Sequence, residues 1–551
     1  MAMLSEPPQE PAPLWTASRK GKLLHHVLNG RTLQSRIGAW PNGLPGSRLK
    51  MRGPRLGVGA PWSSSACRGA NEDLDQGRAG MIVMKFGGSS VADSGCMREV
   101  AALVTQALPK APLVVLSATA HTTDALFEAA RRAEAGDLGA ALDISRGILK
   151  RHRSIAVELF PACLPVALGH VLIELGRELD SLLRGVALLH ELSPRSLDAI
   201  ASIGELMSSR VLAAFLDAGW VDARTVVRTD ATFGAAQPLL SDLSALAEQH
   251  LTPLLGYGRA VVTQGFIGST AGGVTTTLGR GGSDFSAALL GAALGATEIQ
   301  IWTDVEAILT CDPHVVPEAL PIAELSFAEA AELATFGAKV IHPATIHPAV
   351  AAGIPVTVRH TRHPQGRFTT ITAKVPTGRI ITALAQRGPV TMLTVSCGDT
   401  LNRNGFLTMA SLFQVFSRHQ VSVDLVATTE ASVSFTVDGN EPLEALLEDL
   451  EGFGTVGVAR ERTIVAIIGE RLKFTPGVTG RCFGALREIN VEMISMGANE
   501  MNLSFVVKQE DAKPSLRALH ATLIESPAAE GGQTIKPVLD DFSKLEIPRS
   551  A

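Results

Sequence analysis

Lys85 closes a short apolar run, MIVMKF, and is followed at once by Gly87, Gly88, Ser89 and Ser90. Two glycines let a backbone come close to a polyphosphate, and successive N–H groups there form an anion nest. An ammonium at that point is placed to neutralise charge on a phosphoryl group in transfer. The spacing is not that of a Walker A loop, and a tight turn with a surface lysine explains this motif equally well by itself. A second glycine-rich stretch, GVTTTLGRGGSD (273–284), leads into a helical pattern whose first-turn amides suit an anion. Asp284 stands at or near the N-cap of that helix, and capping is one account of it. Three threonines, Arg280 and a Gly-Gly-Ser are more than a cap requires. SIGELMSSR (202–210) carries Glu205 among apolar residues, where a lone acid is ordinarily solvated. WTD (302–304) offers Thr303 and Asp304 at the end of a strand. AELATFGAKVIHPA (331–344) ends a helix at Gly337 and presents Lys339 to a nucleotide or to water.

These residues need a frame, and the chain supplies one from Met81 onward. MIVMKF, APLVVLSA (111–118), RAVVTQGFIG (259–268) and EIQIWTD (298–304) read as buried strands. A helix is expected from about Ala92, and residues 123–160, 169–192 and 283–296 repeat apolar residues at spacings of three and four. In the last of these Phe285, Leu289 and Ala293 share a face. Strands alternating with helices imply an α/β fold, an open, mainly parallel sheet sandwiched by helices. Ligands of such sheets sit beyond the carboxyl ends of the strands, where the polar and glycine-rich residues fall here.

The texture changes after about residue 385. PVTMLTVSC, VSVDLVATT and ASVSFTVDG read as strands around a helix, GFLTMASLFQVFSRH. TIVAIIG, GVTGRCFGALREIN, VEMISMGA, NLSFVVK and a helix at 511–524 repeat the order. Strand–helix–strand–strand twice over is an internal repeat, expected to form two ferredoxin-like units. The expected domains are therefore a basic extension (1–80), a catalytic domain (81–385) and a tandem regulatory region (386–551).

Composition narrows the function classes. The chain of 551 residues has a net charge of -5, which gives no general reason to expect nucleic acid as a partner. No purely apolar run of about 18 residues is present, so no membrane span is expected. Six cysteines are scattered without a CxxC, which disfavours a zinc site or disulfide framework and fits a reducing cytoplasm. Residues 1–80 differ in kind. They hold 11 Lys/Arg against 5 Asp/Glu and three of the five tryptophans, Trp15, Trp40 and Trp62. No helical or strand period persists there, and disorder is expected. The segment reads either as an organelle transit peptide, which would place the protein in a stroma, or as a start placed upstream of Met81 or Met84. The second is preferred, because the acidic, proline-rich stretch from Glu6 to Pro13 is a poor transit signal.

Taken together, KFGGSSV, SIGELMS, TTTLGRGGSD, IWTDV and FGAKVIHPAT, in that order, resemble the aspartokinases of the amino-acid-kinase superfamily. The likeness runs from about residue 81 to the C-terminus, and the lysine-sensitive monofunctional type is the nearest form. The resemblance implies transfer of the γ-phosphate of ATP, with Mg2+, to the side-chain carboxylate of L-aspartate, giving 4-phospho-L-aspartate for lysine, threonine and methionine synthesis. It implies that Lys85 contacts the phosphates and that Asp284 orients lysines and substrate. Arg280 would clamp the α-carboxylate, a task suited to a guanidinium fork, and Glu205 would pair with the α-ammonium. Thr123, Phe233, Thr277 and Ser283 would complete the substrate pocket. Gly87, Gly88, Ser89, Thr303, Asp304 and Lys339 would line the ATP site.

The chain departs from the family pattern at Leu309 and His314, where a tyrosine and an arginine are usual, at Ala235 for an arginine, and at Phe368 for a glycine. These changes bear on ATP affinity more than on aspartate. The C-terminal repeat resembles a pair of ACT domains that bind an end-product amino acid, here lysine, at the interface of a homodimer or dimer of dimers. By that resemblance Asp424 takes the effector ammonium, Val423, Thr428, Thr429 and Glu430 flank it, and Phe406 and Leu407 add backbone contacts. Thr408 and Met409 look inserted. Two other readings stand beside this one: a kinase of the same fold acting on glutamate, carbamate or a nucleotide, and a catalytically silent amino-acid sensor. Arg280 with Glu205 opposes the first, and retention of Lys85, Asp284 and Arg280 opposes the second.

Overall fold

The computed structural model describes residues 80–525 except 257, 338–342, 374–378, 397, 398 and 498, and gives the backbone alone for 343, 344 and 399–408. The expectations for residues 1–79 and for Lys339 lie outside the described residues.

Up to residue 372 the strands are β1 (Ile82–Phe86), β2 (Leu113–Leu116), β3 (Gly219–Trp220), β4 (Arg228–Thr229), β5 (Val261–Gln264), β6 (Ile267–Thr270), β7 (Thr275–Thr277), β8 (Glu298–Thr303), β9 (Glu324–Ser326), β10 (Val356–His360) and β11 (Thr369–Thr372). The main sheet runs β3-β5-β2-β1-β8-β10-β11-β9, and β4-β6-β7 form a small second sheet. Every pairing in the main sheet is parallel except β10 with β11. Its central strands β1, β2 and β5 are buried along their whole length, which is why they read as mainly apolar runs without a polar alternation.

Helices cover both faces. On one side pack α1 (Ser94–Ala107), α2 (Thr122–Glu134), α3 (Leu138–Leu159), α4 (Val166–Leu189) and α5 (Pro194–Leu216). On the other pack α6 (Leu240–His250), α7 (Gly282–Leu294), α8 (Phe327–Thr335) and α9 (Pro343–Ala352). By length and composition α5 is the one helix among the described residues that could cross a membrane, but it is mostly buried within this fold. Its start is well specified. The Ser193 hydroxyl accepts the Ser196 N–H at 3.1 Å, and Pro194 occupies a first-turn position that needs no donor.

One expected strand is broken. Residues 259–268 form two strands in different sheets, because the chain turns at Gly265 and Phe266 against the start of α7. A Cβ on Gly265 would lie 2.7 Å from the Ser283 Cα, so only glycine fits. Phe266 takes a φ of 68° and donates its N–H to the Ser286 hydroxyl at 3.0 Å.

Beyond residue 380 come β12 (Ala383–Ser396), α10 (Asp399–Arg418), β13 (Val423–Thr428), β14 (Ser432–Asp438), α11 (Glu444–Glu451), β15 (Thr455–Ile468), α12 (Val478–Ala485), β16 (Met493–Met496), β17 (Asn502–Lys508) and α13 (Gln509–His520). They share one sheet, β13-β14-β12-β15-β17-β16. The expected pair of consecutive units is in fact nested, and α11 was not foreseen. Strands β12 and β15 are long enough to serve both units, with register shifts around Val390. Leu384 joins Val465, Phe505 and Leu516 in one core, whereas Leu393 and Val395 join Phe416, Phe435 and Leu446 in the other. The helix α10 begins six residues before GFL, so Phe406 and Leu407 lie within it rather than at its start.

Part of the opposite face of this sheet is covered by the catalytic domain. Ala383, Ala385, Ile464 and Val506 share a core with Leu333, Phe336 and Ile354. Polar contacts fasten the same seam. Asn499 and Asn502 each donate to Glu332 at 2.6 Å, and the Thr382 hydroxyl donates to the buried Glu329.

Candidate active site

At the carboxyl ends of β1 and β2 an open cleft of about 670 Å3 is bounded by α2, α5 and the start of α7. Lys85, Gly87, Gly88, Thr123, Glu205, Thr277, Arg280, Ser283 and Asp284 all line it. These residues, from four separated stretches of sequence, thus converge on one space.

Lys85 is the fourth residue of a five-residue buried strand, which fixes its backbone before its side chain reaches the cleft. Its Nζ meets the Asp284 carboxylate at 2.6 Å. Lys85 is thus no free surface lysine, and Asp284 does not cap its helix. The N-cap is Gly281, at φ 72°, and no side chain caps α7. The Gly282 N–H donates to the Gly279 carbonyl at 3.0 Å, and no side chain competes for the Ser283 and Asp284 amides that follow it at the cleft, where an anion would meet them.

Gly88 is required by close approach. A Cβ there would come within 2.9 Å of the Ala118 carbonyl, on the loop after β2. That same loop holds Glu205, whose Oε1 accepts the Ala118 N–H at 3.3 Å. Glu205 is buried, contrary to the solvated acid its sequence suggested, and its Oε2 has no hydrogen-bond partner. Burial, only partly offset by the Ala118 N–H, pushes its carboxyl up to about 8. A buried, half-satisfied carboxylate at a cleft wall is suited to an incoming cation. Arg280, in contrast, is exposed and makes no ion pair among the described residues, so its guanidinium is free for an anionic ligand.

Some expected residues stand elsewhere. Phe233 does not line the cleft, although its neighbour Gly234 does. Ser89 is exposed on the turn Gly88–Val91. Thr303 and Asp304 sit at the carboxyl end of β8, next to β1, with their side chains bonded to each other at 3.1 Å. Leu309 and His314 line a cavity of about 320 Å3, shared with Leu333, Leu384 and Leu516. Phe368 has an evident partner: the Arg359 guanidinium lies 4.2 Å from its ring centroid. Ala235 is exposed on a loop.

Sequence reasoning missed two residues. Asp198 is buried on α5, lines the cleft and accepts three hydrogen bonds. His152 is fully buried on α3, with Nδ1 2.9 Å from the Ile148 carbonyl and Nε2 3.4 Å from the Thr119 hydroxyl of the cleft loop. Burial holds its imidazole down to about 4 and hence neutral at pH 7. Both lie in helices where one polar residue among apolar ones carries no signature.

In the C-terminal sheet, the Asp424 Oδ1 meets the Arg387 guanidinium at 2.8 Å, while its buried Oδ2 has no partner. Burial raises its carboxyl above the ordinary range, against the pull of Arg387. Val423 precedes it on β13, and Thr428, Thr429 and Glu430 are exposed at the following turn.

Comparison with known proteins agrees with this geometry. Residues 80–360 match the amino acid kinase family, and residues 465–523 match an ACT domain. The lysine-sensitive aspartokinase 3 of Escherichia coli is 41% identical over 467 residues, spanning 81% of this chain and 99% of that protein. The chain belongs to the aspartokinase family. Aspartokinase 1, chloroplastic, of Arabidopsis thaliana is 36% identical over 81% of this chain and 80% of its own length. Among solved structures, aspartokinase III of E. coli in complex with aspartate and ADP, an R-state, superposes with a TM-score of 0.69 at 40% identity, covering 80% of this chain and 99% of that one. The same enzyme with lysine and aspartate, a T-state, gives 0.68 at 39% identity over the same shares. Membership of the aspartokinases makes the chain a nucleotide-using phosphotransferase with a carboxyl group as acceptor.

Proposed function

We propose that this cleft phosphorylates the side-chain carboxylate of L-aspartate with the γ-phosphate of ATP. The observation that carries the reading is the Lys85–Asp284 ion pair at 2.6 Å in the same cleft as a buried, half-satisfied Glu205. Glu205 takes the α-ammonium and Arg280 the α-carboxylate, which orients the distal carboxylate toward Lys85. Thr123, Thr277 and Ser283 complete the pocket, with Phe233 beside it. A distal oxygen forms a bond to the γ-phosphorus as the bridging bond to the β-phosphate breaks, and ADP leaves with that electron pair. Lys85 and the uncapped amides of α7 hold the charge that spreads over the transferring group. Asp284 keeps the ammonium aimed. Gly87, Gly88 and Ser89 let the phosphates approach, and Thr303, Asp304 and Lys339 serve the rest of the nucleotide.

Among the described residues no cluster of three or more His, Cys, Asp or Glu is arranged to hold a metal ion. A Mg2+ is expected to arrive on the phosphates and to keep several waters. When bound it would neutralise phosphate charge, with Asp284 the acidic side chain nearest the transferring group.

The catalytic domain is taken as 81–385 and the regulatory region as 386–551, with lysine as effector. Asp424 supports that choice, since its orphaned oxygen can accept an ammonium; Val423, Thr428, Thr429 and Glu430 would flank the ligand, and the backbone at Phe406 and Leu407 would close it. Assembly as a homodimer or dimer of dimers through this region accompanies the reading. The direct test is ATP- and Mg2+-dependent formation of aspartyl hydroxamate from L-aspartate and hydroxylamine by the full chain, with and without lysine. Product that is absent at saturating ATP would sink the catalytic reading, and product indifferent to lysine would sink the effector assignment.

A further inference from the structure

Asp198 stands two helical turns before Glu205 on α5, so the two acids share a face of that helix. Only 2% of Asp198 is exposed, yet both of its carboxylate oxygens are used. Oδ1 accepts the Thr277 hydroxyl at 2.8 Å. Oδ2 accepts the Thr277 N–H at 2.9 Å and the Gly234 N–H at 3.0 Å. One carboxylate therefore ties together α5, strand β7 and the loop that carries Phe233. Burial raises its carboxyl above the usual range while these three bonds pull the other way.

The polarity of one of these bonds matters for chemistry. A hydroxyl has one hydrogen and two acceptor lone pairs. Because the Thr277 hydroxyl spends its hydrogen on Asp198, its oxygen can only accept from anything that enters the cleft. We infer that Asp198 is a positioning residue that fixes the Thr277 oxygen as an acceptor for the substrate's α-ammonium, beside Glu205. This rests on the proposed aspartate reading of the cleft. In the absence of Asp198 the hydroxyl rotates freely and presents its hydrogen or its oxygen indifferently, and the Gly234 loop loses its anchor. Glu205 supplies charge for the ammonium, and Thr277 supplies a direction. An acceptor of fixed polarity there favours an ammonium over a hydroxyl-free methylene, which is the difference between aspartate and succinate.

The test uses the full chain with Asp198→Asn, Thr277→Val and the double variant, read by hydroxamate formation and by inhibition with succinate, which lacks the ammonium. Thr277→Val removes the hydroxyl while keeping shape and backbone N–H, so it remains informative if Asp198→Asn folds poorly. Each single variant is expected to raise the aspartate KM by about tenfold, with the ATP KM and, for Thr277→Val, the succinate Ki within about twofold of the parent. The double variant is expected to add no more than about twofold to Thr277→Val, since Asp198 acts through Thr277. Additive losses, an unchanged aspartate KM in Thr277→Val, or a parallel rise in its succinate Ki would each overturn the inference. If the unmodified chain forms no hydroxamate, the aspartate reading itself has failed, and that outcome is distinct from these.

Discussion

Replacing Glu205 by glutamine tests whether a buried acid is kept for its ligand rather than for the fold. An unfolded glutamate loses its proton near 4.5, whereas burial holds the folded carboxyl up to about 8. Between those values the folded chain binds the extra proton, so stability falls as pH rises from 4.5 toward 8 and levels off above it. The gap corresponds to roughly 4 to 5 kcal/mol at full extent. Glutamine carries no charge to desolvate, but it still buries a polar group with few partners, so a net gain of about 2 to 3 kcal/mol at pH 8 is expected. At pH 5 the two chains should be nearly equal. Ligand-free thermal unfolding from pH 5 to 9, parent against Glu205→Gln, reads this difference directly. The difference between the chains isolates one group from all others that titrate.

Activity is expected to move the opposite way. Glu205→Gln removes the charge that meets the ammonium, lowering kcat/KM for aspartate by about 10^2 to 10^3 with little change in the ATP KM. In the parent, aspartate must find Glu205 ionised, so its KM should fall about tenfold per pH unit as pH rises toward 8. A variant that is less stable than the parent at pH 8, or a difference that does not vary with pH, would refute the assignment of Glu205 as an uncompensated carboxylate.

Lys85→Ala should cut kcat by about 10^2 to 10^3 in the hydroxamate assay while the aspartate KM changes little, because the lost ammonium acts on the transferring group. Gly88→Ala sets a Cβ 2.9 Å from the Ala118 carbonyl, and the shift of that loop should raise the ATP KM by about tenfold in initial-rate kinetics. Asp424→Asn should raise the lysine concentration for half-inhibition by about tenfold or more, measured on the full chain. Gly337→Ala meets the Gln386 carbonyl at 2.5 Å from a residue held at φ 104°, and should lower thermal stability and weaken lysine inhibition together.

What could be read from the sequence was local. Lys85 with Gly87 and Gly88, or Arg280 through Asp284, are neighbours in the chain, so turn chemistry and helix start reveal them before any fold is known. The alternation of strands and helices likewise gave the parallel sheet. What stayed hidden depends on partners far away. Asp198 finds Gly234 36 residues on and Thr277 79 residues on, and nothing near it in sequence marks it. Glu205 looks solvated until Ala118 and the wall of α2 close over it. The break at Gly265 follows from where α7 begins, not from the strand's own residues. The nesting of the C-terminal units was likewise invisible, because a fourteen-residue strand that serves two cores has the same alternation as one that serves a single core.

The same long strand bears on how an effector near Asp424 is felt at the nucleotide. Asp424 holds Arg387 at 2.8 Å, and Arg387 sits at a register shift of β12. Its neighbour Gln386 presses a carbonyl against Gly337 so closely that no side chain fits between them. Gly337 ends the chain segment that follows α8 and leads directly to Lys339. A second line runs in parallel. Leu384 donates its N–H to the Thr310 carbonyl at 2.7 Å, and the buried His520 lies 2.9 Å from the Thr310 hydroxyl. Arg517 donates to the Val315 carbonyl at 2.9 Å. Both lines meet segments that follow β8 and α8, where the residues proposed for the nucleotide fall in the sequence, and neither includes Glu205 or Arg280. Contiguity becomes coupling only where an element has two arrangements that both sites bias. The register shift of β12 lies where such an element would act, since a ligand that drew Asp424 away from Arg387 would release the strand where its pairing is already irregular. If an effector bound at Asp424 weakens nucleotide binding by this route, then by reciprocity bound nucleotide must weaken the effector by the same factor.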